Sequence, residues 1–494
     1  MHDIDTPQYR PAYHFTPAAH WMNDPNGLLF HDGIYHLFFQ HHPQGLNWGP
    51  MHWGHATSRD LLSWQEHAIA LAPDALGMIF SGSAVIDRDN TCGLGRDGIA
   101  PWVAVFTHHD DEAARRGSER IESQSLAISL DQGRSWRKHA GNPVLPNPGL
   151  RDFRDPKVIW LEGRSRWLMS LAAHDHVRFY SSPDLQQWTL ESEFGRERAV
   201  PGTVWECPDL FPLPWQGGTR WVLLVSVVPG GPNGGSGTMF FTGEFDGCRF
   251  VPDDVSVRAP IRWLDHGPDH YAGVTWSTSG TRRTLIGWMS NWDYAKSVPT
   301  SPWRSAMTLP RDLSLREVDG QPWLASAPAQ ETLRQGWQAL AAPAAPAAGP
   351  IDLSAAWCRA AGRLTLALHL QGAAGFELVL GNAVGDELRL GFDTAPGEYF
   401  VDRRHAGRND FSDRFAGRHV APRLVQREGA EVQLYFDATS MELFADGGLT
   451  TMTSLFFPRE PYTRAALHLS SGARVHSLLL SAWAGAAQAQ RRAA

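Results

Sequence analysis

The sequence has few charged residues, few cysteines and no long hydrophobic run. Charged residues make up 19% of the 494 residues. The chain has 44 Lys and Arg and 52 Asp and Glu, which gives a net charge of −8. Nucleic-acid binders carry a basic surface, so no nucleic-acid partner is expected. The cysteines, Cys92, Cys207, Cys248 and Cys358, form no C-x-x-C pair, which argues against a zinc site and a dense disulfide framework. The longest apolar runs, such as 221–228, are too short to span a membrane.

The N-terminus also lacks a basic segment followed by an apolar stretch, so no signal peptide is visible. The chain as printed is therefore predicted to be cytoplasmic, and secreted or periplasmic if a leader has been removed from it. No membrane partner is expected, and a homodimer stays open.

Tryptophan, in contrast, is abundant, with 21 residues. Such rings either fill large cores or stack on the C–H faces of sugars, and composition alone leaves both open. Hydrophobic residues make up 43% of the chain, enough for two to three domains with real cores.

The first 320 or so residues have the sequence pattern of many short strands separated by Gly, Pro, Asp and Asn. This pattern predicts an all-β architecture. A weak repeat supports this prediction, since an Asp, a turn and an aromatic residue recur. The repeated aspartates are Asp60, Asp131, Asp184 and Asp246, at spacings of 71, 53 and 62 residues. Repeats of this length built only of strands are typical of β-propeller blades, here about five.

The composition then changes. Residues 325–350 are rich in Ala and Pro, which predicts a helical or extended linker. Alternating apolar and polar residues follow and predict a β-sandwich. The expected division is a catalytic propeller over 1–324, the linker, a sandwich over 351–485 and a flexible tail over 486–494.

Three acidic segments carry the candidate chemistry. They are WMNDPNG with Asp24, FRDPKV with Asp155, and WECPDLF with Glu206. Each alone could be a turn, an ion pair or a strand end. Together they offer the two carboxylates that flank a scissile glycosidic bond and a third that holds sugar hydroxyls. Glu206 between Trp205 and Cys207 would have its pKa raised by apolar neighbours, which suits a general acid.

These motifs, in this order, closely resemble glycoside hydrolase family 32, the invertase, inulinase and levanase family. Further matches are FFQHHP at 38–43, FSGSAV at 80–85 and GWMSNWDYAKSVPTSPWRSAMTLPR at 287–311, and the likeness covers most of the chain. The resemblance implies a five-bladed β-propeller followed by a C-terminal β-sandwich. It also implies a covalent fructosyl-enzyme intermediate, and neither a metal nor an organic cofactor.

The resemblance also implies roles for individual residues. Asp24 would be the nucleophile, Glu206 the acid/base and Asp155 the transition-state stabiliser. The residues expected to bind substrate are Asn23, Asn26, Gln40, Trp48, Phe80, Ser81, Arg154, Cys207, Tyr271 and Trp292. In FFQHHP, His41 and His42 depart from the family pattern, and they either alter the pocket rim or are harmless loop residues.

The favoured activity is release of terminal β-D-fructofuranosyl groups from levan or inulin, with sucrose as a side substrate. A sucrose-preferring invertase is one alternative on the same fold, and fructosyl transfer or formation of cyclic difructose is another. SLDQGRSW at 129–136 resembles the Asp-box of sialidases, but no Tyr–Glu nucleophile pair accompanies it. A lectin-like binding module would not need all three acidic motifs.

Overall fold

The structure, a computed structural model, is built almost entirely of β-strands, as the sequence predicts. The three α-helices in its described part, α1 (Asp111–Arg115), α2 (Gln330–Arg334) and α3 (Ser354–Arg359), are short. None of the helices in this part is long and apolar enough to cross a membrane. The described residues are 6–254, 260–277, 280–334, 336–344, 349–372 and 375–485.

The first two thirds of the chain form strands connected by tight turns and by short 3-10 helices. The bounds of these strands are β1 (His20–His31), β2 (Ile34–His42), β3 (His52–Ser58), β4 (Trp64–Glu66), β5 (Met78–Ile86), β6 (Trp102–His109), β7 (Glu122–Ser129), β8 (Arg137–Lys138), β9 (Phe153–Leu161), β10 (Arg166–Ala173), β11 (Val177–Ser182), β12 (Thr189–Phe194), β13 (Val204–Trp215), β14 (Gly218–Val228), β15 (Gly237–Phe245), β16 (Phe250–Pro252), β17 (Tyr271–Thr275), β18 (Thr284–Met289), β19 (Trp303–Arg304), β20 (Ala306–Met307), β21 (Arg311–Val318) and β22 (Gln321–Pro328).

These strands pair into five sheets. Three of the sheets consist of four consecutive strands each: β5–β8, β9–β12 and β13–β16. A fourth sheet contains β1–β4 and, beside β1, the later strand β19. The fifth contains β17, β18, β21 and β22, with β20 paired to β18. All pairs are antiparallel except β1 with β19. The first strands β1, β5, β9, β13 and β17 contact one another in that order, and β17 contacts β1. Each sheet therefore contributes its first strand to a shared interior.

The repeated aspartates form the turns that the sequence predicts. Each carboxylate accepts backbone N–H groups from residues two to four positions later, at Asp60, Asp131, Asp184 and Asp246. Each turn joins the third and fourth strands of one of the first four sheets. In three of them the Trp that follows donates its indole N–H to the carbonyl three residues earlier. The repeat is thus a local Asx turn closed by an aromatic ring.

The last third of the chain forms two six-stranded antiparallel sheets, β23-β34-β25-β30-β31-β32 and β24-β33-β26-β27-β28-β29. Their apolar side chains form one large buried cluster, as expected of a β-sandwich. The bounds of these strands are β23 (Trp337–Leu340), β24 (Ile351–Asp352), β25 (Leu364–Gln371), β26 (Phe376–Gly381), β27 (Glu387–Asp393), β28 (Glu398–His405), β29 (Arg418–Pro422), β30 (Ala430–Asp437), β31 (Ser440–Ala445), β32 (Thr450–Leu455), β33 (Arg464–Leu469) and β34 (Arg474–Trp483).

The segment expected to be a linker contains regular structure. Strand β22 runs through the expected limit at residue 324, α2 follows it, and β23 pairs with β34 of the sandwich. The expected flexible tail over 486–494 lies outside the described residues. The exact division into domains stays a prediction.

Buried ion pairs connect the first five sheets to the sandwich. Arg311 contacts Asp265 at 2.8 Å and Glu442 of the sandwich at 2.6 Å. Arg403 of the sandwich contacts Asp269 at 2.6 Å. All five side chains are fully buried, so loss of one partner would leave an uncompensated charge in the interface. These pairs fix the sandwich against the segment that leads into β17.

His14 adds a pH-dependent bond to the same interface. Its ring nitrogens lie 2.9 Å from Asp437 and 2.9 Å from Glu442. Burial lowers the pKa of His14, but hydrogen bonds to both carboxylates outweigh burial and raise the pKa from 6.5 to about 9. Because the folded pKa lies above the unfolded one, the stabilisation is complete below pH 6.5 and is lost as the pH rises through 9.

We therefore expect the interface to lose up to about 3 kcal/mol between pH 6 and pH 9.5 through His14 alone. The measurement is the Tm of the wild type and of His14→Gln at both pH values. The wild type should show the larger fall in Tm, because Gln carries no proton to lose. Equal falls in the two proteins would show that His14 is not the titrating group.

Candidate active site

Apart from Gln40 on β2 and the loop residues Trp48 and Trp292, the predicted site residues lie on the five interior strands. Each interior strand is irregular where they occur. The register against a neighbouring strand shifts near the site residues of each interior strand, and on β1 it shifts a second time between Asn26 and Leu29. On four interior strands the shifts lie between Met22 and Pro25 (β1), Ile79 and Gly82 (β5), Glu206 and Asp209 (β13), and Tyr271 and Val274 (β17). For β9 the shift lies on the neighbouring strand β10, between Ser170 and Ala172, opposite Asp155. Such bulges redirect side chains and occur next to active sites.

Two of these bulges place site residues in left-handed backbone. Asp155 has a φ of 64° and Cys207 a φ of 49°, a conformation that is uncommon for residues other than glycine. The sequence suggested that Asp24 lies in a turn or at a strand end, but the whole of WMNDPNG lies within the twelve-residue strand β1. The bulge accommodates Pro25 there without ending the strand.

Asp24 is held by three side-chain donors. Ser81 Oγ donates to Oδ2 at 2.8 Å, Asn23 Nδ2 to Oδ1 at 3.0 Å, and Cys207 Sγ lies 3.6 Å from Oδ2. Burial raises the pKa of Asp24, and the nearby charge of Glu206 raises it further, while the three donors oppose this. The donors fix the carboxylate in one orientation.

Asp155 is linked to Asp24 through Cys207. The backbone N–H of Cys207 donates to Asp155 Oδ2 at 3.0 Å, and its Sγ lies 3.5 Å from the same oxygen. Burial raises the pKa of Asp155 well above its usual range, Glu206 and Asp24 raise it further, and Arg154 lowers it. The charges of Asp24, Asp155 and Glu206 therefore act on one another.

Glu206 is held by an arginine and a tyrosine. Arg154 donates from Nε at 3.1 Å and from Nη2 at 2.9 Å to Glu206 Oε1. The hydroxyl of Tyr271 donates to Oε2. Both oxygens of Glu206 thus have a donor, and Oε1 accepts two N–H groups of the charged Arg154.

This environment differs from the one that the sequence suggested. The sequence predicts that Glu206 packs against its apolar neighbours Trp205 and Cys207. Successive side chains on a strand point to opposite faces, so the ring of Trp205 stacks instead on Phe241, with centroids 6.0 Å apart. The polar contacts of Glu206 come from other strands.

Arg154 is held by two further carboxylates, which are not among the predicted site residues. Asp152 accepts from Arg154 Nη1 at 2.6 Å, and Glu122 accepts from the same atom at 3.2 Å. Glu122 is 2% exposed and also binds Phe153 N at 2.6 Å and His109 Nδ1 at 3.1 Å. A charged residue at the start of the otherwise uncharged strand β7 was the only signal for Glu122 in the sequence.

The aromatic residues predicted to bind substrate lie near these carboxylates. Trp292 stacks on Trp21 with centroids 5.9 Å apart, and the indole N–H of Trp21 donates to Asn23 at 2.7 Å. Trp48 packs edge-on against Phe80 at 6.0 Å. The same apolar cluster contains Cys207 and Tyr271, against which Trp48, Phe80 and Trp292 pack. The structure thus brings these predicted residues together.

Gln40 and Asn26 are buried but contact none of the three carboxylates through a hydrogen bond in the described structure. Gln40 is 2% exposed and Asn26 is 1% exposed. Within the described residues, Nε2 of Gln40 and both amide atoms of Asn26 have no hydrogen-bond partner. Unpaired buried amides of this kind are costly unless a ligand or water satisfies them.

The two histidines that depart from the family pattern belong to the end of β2. His41 is buried, and its Nδ1 bonds to the carbonyl of Trp21 at 2.7 Å. Burial lowers its pKa to about 4, so it is neutral near pH 7. His42 bonds to the carbonyl of Asn47 at 2.8 Å. His41 therefore supports the backbone of the strand that carries Asp24.

Comparison with known proteins matches the whole arrangement to one family. The glycosyl hydrolases family 32 N-terminal domain matches residues 14–328, and the family's C-terminal domain matches residues 341–484. The chain is 41% identical to a levanase of Bacillus subtilis over 485 residues, covering 96% of this chain and 70% of that protein.

Two fungal proteins show the same likeness. An extracellular exo-inulinase of Aspergillus niger is 38% identical over 510 residues, covering 94% of this chain and 92% of the relative. The crystal structure of an exo-inulinase from Aspergillus awamori superimposes with a TM-score of 0.84 at 34% identity, covering 96% of this chain and 97% of that one. The chain therefore belongs to glycosyl hydrolases family 32.

Proposed function

We propose that the protein is a retaining β-fructosidase. Asp24 attacks the anomeric carbon of a terminal fructofuranosyl group, the glycosidic C–O bond breaks, and Glu206 gives its proton to the leaving oxygen. Water then attacks the fructosyl-Asp24 ester while Glu206 takes its proton back, which releases fructose. Asp155 accepts hydrogen bonds from fructose hydroxyls as positive charge develops on the ring.

The observation that carries this proposal is the convergence of three carboxylates that interact electrostatically. Cys207 contacts both Asp24 and Asp155, and the charge of Glu206 raises the pKa of both. Mutual repulsion among close carboxylates raises the pKa of Asp24 and of Asp155. The donors to Asp24 keep that carboxylate in place for attack.

The fold supports the proposal that the catalytic part is a five-bladed propeller. Five sheets occur in sequence, and their first strands contact one another around to the start. We assign the blades to residues 1–324, followed by a connector over 325–350 and the sandwich over 351–485. In this proposed arrangement, the interior strands all begin at the same open end of the space that they enclose.

The proposed substrates are levan- and inulin-type fructans, with sucrose as a side substrate. The relatives named above are a levanase and exo-inulinases. A transferase or a difructose-forming enzyme would use the same three carboxylates, so the products decide between these activities.

A product time course on levan, inulin, sucrose and kestose is the test. We expect fructose alone from the first time points on both polymers, because the fructosyl-enzyme is resolved by water after each terminal cut. A ladder of oligosaccharides would contradict release of terminal fructose. Cyclic dimers, or transfer products on sucrose, would contradict hydrolysis.

A further inference from the structure

The interior strands end at a second cavity, away from the three carboxylates. It has a volume of about 440 Å³, and its lining includes Leu29, Ile86, Lys157, Asp209 and Thr275. Each of these residues lies two to five positions after a site residue on the same interior strand. At about 3.3 Å per residue this is a separation of roughly 7–17 Å along the strands. The cavity therefore lies at the far end of the strands that carry the proposed active site.

Aromatic rings form much of its wall. Trp160, Trp221 and Phe30 are partly exposed, and Trp276 and Phe211 are buried behind the surface. Trp160 is held edge-on by another ring, Trp167, at 4.9 Å. Flat, fixed rings of this kind offer apolar faces at little conformational cost. Cavities of this volume and character suit small organic ligands.

One buried acceptor in the wall lacks a donor. Asp209 is 0% exposed. Its Oδ2 accepts hydrogen bonds from Thr275 N at 2.6 Å and from Thr275 Oγ1 at 2.8 Å. The same oxygen lies 3.2 Å from Lys157 Nζ. Its Oδ1 has no hydrogen-bond partner among the described residues. A buried carboxylate oxygen without a donor is costly, so a group that enters the cavity with an O–H or N–H would be stabilised there.

The charges around this oxygen restrict what the ligand can be. A cation would meet the ammonium of Lys157 and the guanidinium of Arg283, which also lines the cavity. An anion would meet the carboxylate of Asp209. Arg88 and the acidic residues Asp87, Asp89 and Glu162 also line the cavity, so charges of both signs surround a ligand there. No group of three or more His, Cys, Asp or Glu in the described chain could hold a metal ion. A neutral molecule with hydroxyl donors and an apolar face fits all of these conditions.

We propose that this cavity is a second, non-catalytic binding site for a neutral mono- or disaccharide. A sugar hydroxyl donates to Oδ1 of Asp209, and the C–H face of the ring lies against the indoles of Trp160 and Trp221. The proposal rests on the cavity alone and does not require the chemistry assigned to the three carboxylates.

The test uses binding of sucrose to the Asp24→Asn protein with 5-fluorotryptophan at its tryptophans. The ¹⁹F resonance of Trp160, assigned by its loss in Trp160→Phe, should shift saturably as sucrose is added. The resonance of Trp215, on the same sheet as Trp221 but outside the cavity, should not shift. A Trp160 resonance that does not respond to sucrose, fructose or glucose overturns the proposal.

A blocking variant separates this site from the proposed active site. Ile86 lines the cavity, so Ile86→Tyr adds bulk there without a new tryptophan. We expect it to abolish the shift of Trp160, while Leu190→Tyr, at an exposed leucine of β12, retains it. Persistence of the shift in Ile86→Tyr contradicts the assignment.

A crystal of the Asp24→Asn protein soaked in sucrose keeps the test decisive if Ile86→Tyr does not fold. Sugar density within hydrogen-bond distance of Asp209 Oδ1 supports the site. Water alone at that oxygen overturns it. Because these readouts measure binding, their failure is distinguishable from a failure of the proposed hydrolysis, which the product time course measures.

Discussion

Asp24→Asn and Glu206→Gln should each lower kcat on sucrose by at least about a thousandfold while the protein stays folded. The amide of Asn cannot form the ester intermediate, and the amide of Gln cannot give or take the proton. Both replacements keep the size of the side chain and part of its hydrogen bonding. The measurement is kcat together with Tm for each variant.

Asp32→Asn and Glu317→Gln are the matched controls, because both residues are exposed and lie outside the proposed site. Both should keep wild-type activity. An activated fructosyl fluoride separates the two roles, since fluoride leaves without protonation and should restore the first step to Glu206→Gln only. Residual activity in the double-digit percentage range in either site variant would refute its assigned role.

Asp155→Ala should lower kcat by about a hundredfold or more and weaken ground-state binding of fructose much less. Its contact to the hydroxyls is proposed to strengthen as charge develops on the ring, and only such a contact changes kcat. The measurement is kcat and KM on sucrose, with the inhibition constant of fructose as a separate measure of binding.

Asp155→Asn is the conservative control for the same position. Its amide oxygen can still accept the hydrogen bond from the backbone N–H of Cys207, which Ala would leave unpaired. If Asn also loses kcat, the loss comes from the carboxylate charge and not from a collapsed backbone. A loss confined to KM in either variant would contradict a transition-state role.

Much of the fold follows from local sequence. Short strands fill the first 320 or so residues, and alternating strands form the sandwich, as the sequence predicts. The Asx turns follow from a short side chain that bonds to nearby backbone, which is a property of a few consecutive residues. The register shifts do not follow, because a bulge depends on which residues the neighbouring strand offers.

The same distinction holds at the candidate site. The motifs around Asp24, Asp155 and Glu206 were visible because the three acidic residues stand in recurring local contexts. The contact of Arg154 with Glu122 was not visible, since Glu122 comes from a different sheet and is close only after folding. The setting of Glu206 was predicted wrongly for the same reason: its neighbours in sequence are not its neighbours in space.

Identification of the residue that carries the fructosyl group tests the central claim most directly. The Glu206→Gln protein should react with fructosyl fluoride and then stall, because no base activates the water that resolves the ester. Peptide mapping by mass spectrometry of the quenched protein should then locate one fructosyl group on Asp24. A fructosyl group on Asp155 or on any other residue would contradict the account.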